Sequence, residues 1–241
     1  MAGTTNFALL HGGGQGGWIW NETRAALEQQ GGDELRVVAF DHPGCGSKRA
    51  RDTSGLSVDD VAEEFVADLL GSGMRDIILV GHSNAGTIMP KVAAMAPHLL
   101  RRYVYVSCIA PPPGASVRQV MSEGRHNSIT RETLSGGRLR DMFCNDMAPD
   151  FADAFMAKLG QDSWPTLRAL DETVWAYDHL ADKPSTYIIC LQDQALPAEW
   201  QDTFATRVHA KRRVRIDAGH QVMNTRPQGL AEILRMEACR I

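Results

Sequence analysis

The stretch Ile77–Gly86 reads Ile-Ile-Leu-Val-Gly-His-Ser-Asn-Ala-Gly and constrains this chain more than any other segment. Four apolar residues predict a buried strand. A glycine follows, then His82, Ser83 and Asn84, the small Ala85 and Gly86, and a helical run that opens with Thr87, Ile88 and Met89. A strand, a tight turn and a helix place Ser83 at the tip of the turn. There its hydroxyl points out of the sheet, and the helix start behind it favours negative charge.

The rest of the chain repeats this rhythm. Strands are predicted at Phe7–Leu10, Leu35–Phe40, Tyr103–Val106, Thr186–Leu191 and Val214–Ile216. Helices are predicted at Asn21–Gln30, Val58–Leu70, Thr87–Ala96, Ala198–Val208 and Gln228–Cys239. Pro90 is expected early in its helix, where a missing N–H costs least. Alternating strands and helices specify an α/β fold with a mostly parallel sheet covered on both faces. The rhythm breaks at Pro111-Pro112-Pro113-Gly114 and resumes near Lys183. Between them Phe151–Leu159 and Leu167–Tyr177 look helical, and the segment is too long and too patterned for a plain loop. The expected division is a core of residues 1–110 and 184–241 with a helical lid over 111–183.

A length of 241 residues with 44% apolar residues supports such a core, and the formal charge of −4 is small. The tight basic cluster Lys211, Arg212, Arg213 and Arg215 overlaps a strand-like run and reads as a solvated strand edge, so nucleic acid is not implied. No apolar run is long enough for a membrane span, and no signal peptide is visible. The cysteines are five and widely separated, without metal-ligand spacing. A cytoplasmic location without a disulfide framework is expected.

A serine hydroxyl becomes a nucleophile when a histidine, oriented by a carboxylate, takes its proton. In sheets with this turn the chain order is Ser, acid, His. Of the later histidines, His98, His126, His179 and His209 fall beside a helix or in the insertion. His220 follows the last strand through Asp217-Ala218-Gly219 and is the candidate base. Asp193 lies just beyond the strand Thr186–Leu191 and is the candidate acid, with Asp217 as its rival. Backbone N–H donors for an oxyanion are expected at Asn84 and in the loop His11-Gly12-Gly13-Gly14, with Gly13 chosen and Gly12 or Gly14 as alternatives.

Gly12-x-Gly14-x-x-Gly17 also matches a dinucleotide fingerprint, with Asp41 where a ribose-binding acid would sit. Trp18 and Trp20 crowd that helix start, and a dinucleotide would leave Ser83, Asp193 and His220 unexplained. No cofactor and no metal are therefore expected. In the insertion, most of Met121, Met142, Phe143, Met147, Phe151, Phe155, Met156, Trp164 and Trp175 should pack the lid onto the core. Gly12, Trp164, Trp175 and Met223 are the candidate substrate contacts.

These residues resemble the α/β-hydrolase fold over nearly the whole chain, and within it the small plant-type esterase and hydroxynitrile lyase group with its bacterial relatives. The resemblance rests on Leu10-His11-Gly12-Gly13, Gly16-Gly17-Trp18-Ile19-Trp20 and Val80-Gly81-His82-Ser83. It extends to Phe143-Cys144-Asn145-Asp146, Ser185-Thr186-Tyr187-Ile188 and Ala218-Gly219-His220. It implies a Ser83, Asp193 and His220 triad, an oxyanion hole at Gly13 and Asn84, a helical lid, and a small ester as the partner. Two departures stand out. Ala85 occupies a position where glycine is usual. Gly12 and Gln221 stand where the lyases of the group carry a threonine and a lysine. The second departure favours an esterase over a cyanohydrin lyase; a ligand-binding receptor on the same fold is the remaining alternative.

Overall fold

The computed structural model describes residues 4–31, 34–123 and 137–240. The six strands are β1 (Thr5–Leu10), β2 (Leu35–Phe40), β3 (Ile77–His82), β4 (Leu100–Val106), β5 (Ser185–Cys190) and β6 (Arg212–Ile216). They pair in the order β2-β1-β3-β4-β5-β6, and every pair is parallel. The chain order reverses between β1 and β3. Loops leaving those two strands diverge there and open a crevice at the C-terminal edge of the sheet.

Side chains alternate between the two faces of each strand. Ala8, Leu10, Leu79, Tyr103, Tyr105, Tyr187 and Ile189 join one buried cluster with Val61 and Phe65 of helix α2 (Val58–Gly71) and Ile88 and Met89 of α3 (Ala85–Met95). Phe204 of α8 (Ala198–Arg207) completes it. Phe7, Leu9, Ile78, Val80, Val104, Val106 and Ile188 join the other, with Ala26 and Leu27 of α1 (Asn21–Gly31) and Leu230 and Leu234 of α9 (Pro227–Ala238). Each fully buried large apolar side chain contributes about 1.5–3 kcal/mol, so neither face can do without its helices.

Helix α2 starts where the residue types favour it. Ser57 Oγ accepts the Asp60 N–H, and the Asp60 carboxylate accepts the Ser57 N–H at 2.8 Å, a reciprocal capping box. Helix α3 begins at Ala85, so Pro90 lies mid-helix rather than early. The Pro90 carbonyl accepts a hydrogen bond from His179 at 2.8 Å.

Strand β4 begins earlier than its apolar run suggests. Arg102 is 8% exposed and reaches the fully buried Glu237 carboxylate at 3.2 Å, which hides a strand residue behind a charge. The basic run on β6 is paired in part: Arg212 with Glu237, and Arg213 and Arg215 with Asp202.

The insertion between β4 and β5 carries α4 (Val117–Glu123), α5 (Gly137–Cys144), α6 (Pro149–Lys158) and the single turn α7 (Leu167–Leu170). His126 lies outside the described residues. The helix expected through Tyr177 stops at Leu170. Beyond it, Trp175 Nε1 donates to the Ala115 carbonyl and the Tyr177 hydroxyl to that of Pro111, both at 2.8 Å. These residues are tied down one by one along the Pro111–Ala115 segment instead of forming one helical face. Among the described residues, no helix is long and apolar enough to cross a membrane. Thiols Cys45, Cys108, Cys144 and Cys190 are buried, and burial pushes Cys45 up to about 12 and Cys144 up to about 11.

Candidate active site

Ser83 closes β3 with a backbone φ of +53°, in the left-handed region that a serine seldom adopts. Its carbonyl holds this turn by accepting the Gly86 and Ile109 N–H groups at 3.1 and 3.0 Å. The turn is possible because its glycines have no Cβ. A Cβ on Gly86 would lie 2.1 Å from the Ile109 carbonyl oxygen, and one on Gly81 would lie 2.3 Å from Met89 Sδ. Ala85 is fully buried. The tight backbone approach therefore falls at Gly86, and the irregular alanine is accommodated.

Ser83 Oγ lies 3.0 Å from His220 Nε2, and His220 Nδ1 lies 2.7 Å from Asp193 Oδ2. His220 is 1% exposed and Asp193 4%. Three loops, after β3, β5 and β6, meet here because each leaves the C-terminal edge of the parallel sheet. Asp193 is held on both oxygens. Oδ1 accepts the N–H groups of Ala195 and Leu196, each at 2.8 Å, and Oδ2 also accepts Ser107 Oγ at 2.5 Å and Gln201 Nε2 at 3.3 Å. The rival Asp217 instead accepts Gln192 Nε2 at 2.7 Å on an exposed side.

Ser107 is a site residue that the sequence reading missed. It ends β4, is fully buried, has φ +41° and stands 3.5 Å from His220 Nδ1 as well as on Asp193. A lone serine after a strand carries no motif; its role arises because β4 and β5 are neighbours. The Phe143–Asp146 segment also reaches the site. Phe143 meets the His220 ring edge-on at 5.1 Å, Asn145 Nδ2 donates to the Gln192 carbonyl, and Asp146 accepts the Gly219 N–H, both at 2.8 Å. One segment of the insertion thus braces the two loops that carry Asp193 and His220.

Gly13 and Asn84 both line the cavity above Ser83, and the Gly14 N–H donates to the Trp164 carbonyl at 2.7 Å. Gly14 is therefore unavailable as an oxyanion donor. His11 Nδ1–H donates to the Gly12 carbonyl at 2.7 Å, and its Nε2 accepts the His42 N–H at 3.0 Å, which sets a neutral tautomer under the loop. Asp41 is spent between the glycine-rich stretch after β1 and the loop after β2. It accepts the Gly17 N–H at 2.6 Å and both Ser47 donors, which outweigh its partial burial and hold its carboxyl below the usual range. This leaves the dinucleotide fingerprint without its acid.

The cavity holds about 300 Å³ and is lined by Met121, Leu139, Met142, Phe143, Leu159 and Leu196, among others, with Ser83 and His220 at its floor. Gly12, Trp164, Trp175 and Met223 are not on its lining. Gly12 faces Ser83 Cβ and the His82 ring instead. Trp164 is buried behind the lining near His42, Trp175 is turned to Ala115, and Met223 is buried in the core beside α1. Pro165, next to Trp164, and Leu170 line the cavity in place of the two tryptophans.

Burial lowers the pKa of His11, and burial together with a neighbouring histidine puts His42 and His82 well below 6.5. The His42 and His82 rings stay neutral in the fold, whereas the unfolded chain protonates them below pH 6.5. Below that pH the unfolded state binds more protons, so folding stability falls as pH drops, by at most about 1.4 kcal/mol per pH unit for each of these two rings. The urea midpoint should be level from pH 8 to 7 and then decline from near pH 6.5, above the carboxylate range. A midpoint level down to pH 5 would contradict this.

A family model described as the alpha/beta hydrolase family matches residues 7–233. Among known proteins, a carbendazim hydrolyzing esterase of Nocardioides sp. (strain SG-4G) is 28% identical over 247 residues, spanning 95% of this chain and 98% of that protein. Methylesterase 7 of Arabidopsis thaliana is 25% identical over 248 residues, spanning 95% and 94%. Among solved structures, an extracellular alpha/beta-hydrolase from a Paenibacillus species shares the fold with a TM-score of 0.79 at 21% identity, over 98% of this chain and 100% of that one.

Proposed function

The chain belongs to the alpha/beta hydrolase family, and we propose that within it this protein is a serine esterase acting on small, largely apolar carboxylic esters. The observation that carries the reading is the unbroken contact from Ser83 Oγ through His220 to Asp193 at the floor of an apolar cavity. Its similarity to proteins named as esterases supports ester cleavage.

Ser83 Oγ attacks the ester carbonyl while His220 Nε2 takes its proton. Asp193 holds the imidazole and balances the imidazolium charge. The N–H groups of Gly13 and Asn84 donate to the oxyanion. When the tetrahedral adduct collapses, the C–O bond to the alcohol breaks and His220 returns the proton to the leaving oxygen. Water then attacks the acyl-Ser83 and loses a proton to His220; the bond from the acyl carbon to Ser83 Oγ breaks, His220 returns that proton to Oγ, and the acid leaves. The apolar walls of the cavity favour uncharged substrates.

Nothing in the geometry favours cyanohydrin cleavage. A side chain at Gly12 would begin 2.9 Å from Ser83 Cβ, Gln221 is fully buried, and no cation lines the cavity among the described residues. A short-chain nitrophenyl ester tests the proposal. Steady release of nitrophenol over many turnovers is expected, and its loss in Ser83→Ala. Tight binding without product release would point to a receptor.

A further inference from the structure

Among the described residues, three polar side chains line the cavity: Ser83, His220 and Asn84. The first two are engaged with each other; Asn84 is not engaged at all. Its side chain makes no capping bond to the helix it opens, its Oδ1 is buried without a partner, and the residue is only 9% exposed. A buried, unpaired carboxamide in an otherwise apolar cavity is costly unless something that enters the cavity pairs with it.

Its position says what that could be. Asn84 directly follows the nucleophile and offers its backbone N–H to the oxyanion. Its Cβ lies 3.6 Å from the point where Gly13 would carry one, so the side chain stands at the oxyanion end of the cavity. A group within reach of it belongs to the substrate atoms next to the scissile carbonyl. The unsatisfied Oδ1 needs a donor, and the amide N–H₂ beside it can serve an acceptor. A hydroxyl supplies both roles, and an N–H supplies the donor.

We propose that the Asn84 carboxamide is a specificity-determining group that hydrogen-bonds a hydroxyl or N–H on the atom attached to the scissile carbonyl. The preferred substrates are then small apolar esters bearing that one polar substituent, the remainder packing against Leu139, Met142 and Phe143. This rests on the esterase reading above and narrows it. A site built to hydrogen-bond a substrate group discriminates against the analogue that lacks it, because its own polar atom is left unpaired.

Three methyl esters test the assignment: mandelate with an α-hydroxyl, α-methoxyphenylacetate without the hydrogen, and phenylacetate without the oxygen. Each kcat/KM is divided by the rate constant for hydroxide hydrolysis, which removes differences in intrinsic reactivity. The wild-type protein should prefer one mandelate enantiomer over phenylacetate by about tenfold or more, the worth of one hydrogen bond. The methoxy ester should do no better than phenylacetate. In Asn84→Leu, and equally in Asn84→Ala, the mandelate-to-phenylacetate ratio should fall to about one. The ratio is internal to each protein, and the wild-type comparison needs no variant to fold. A wild-type ratio near one, or a tenfold ratio that survives both substitutions, would overturn the assignment. If all three esters are cleaved at equal corrected rates, the esterase reading stands and the Asn84 role falls; if none is cleaved, the Asn84 role falls, and the esterase reading falls with it only when a short-chain nitrophenyl ester is also inert.

Discussion

Ser83→Ala lowers kcat/KM for a short-chain nitrophenyl ester by on the order of 10⁵-fold, the expected scale when the nucleophile is removed and the binding groups remain. The fold should survive, because alanine at φ +53° bears the same backbone strain as serine and the bonds to the Ser83 carbonyl are kept. Parallel urea denaturation of both proteins separates lost chemistry from lost folding. A residual rate within tenfold of wild type would mean that another group attacks the ester.

Asp193→Asn should cost nearly as much, about 10⁴-fold, through the tautomer of His220. The N–H groups of Ala195 and Leu196 both donate to Oδ1, so the asparagine oxygen is held there. Its amide nitrogen then occupies the place of Oδ2, facing His220 Nδ1 and Ser107 Oγ. An amide nitrogen cannot accept the Nδ1–H. The imidazole must carry its proton on Nε2 to receive a bond at Nδ1, and it is then unable to take the proton of Ser83. A decrease of less than tenfold at neutral pH would contradict this role for Asp193.

What the sequence made legible follows from where its information is local. The turn at Ser83 is written in neighbouring residues: four apolar positions, Gly81, and Gly86 against the Ile109 carbonyl. Asp193 and His220 could be found because each sits just beyond a strand, and a parallel sheet gathers all such loops at one edge. Contacts set by packing were not legible. Ser107 touches Asp193 across 86 positions of sequence separation, and Asp146 reaches Gly219 across 73. The pocket residues failed for a related reason. Hydropathy identifies Trp164 and Trp175 as buried but does not say which way they turn; Trp175 spends its N–H on Ala115. Arg102 and the segment after Leu170 show the same limit at the level of elements: in each a tertiary partner, Glu237 for Arg102 and the Pro111–Ala115 segment for Trp175 and Tyr177, overrides the local pattern.

Everything proposed for this cavity depends on Ser83 being its nucleophile. A labelled phosphonate that reacts with activated serines, followed by peptide mapping, tests it most directly. The label should appear on the peptide containing Ser83, at about one equivalent, with loss of ester turnover in step. Modification of a different residue, with Ser83 recovered unlabelled from inactivated protein, would contradict the account.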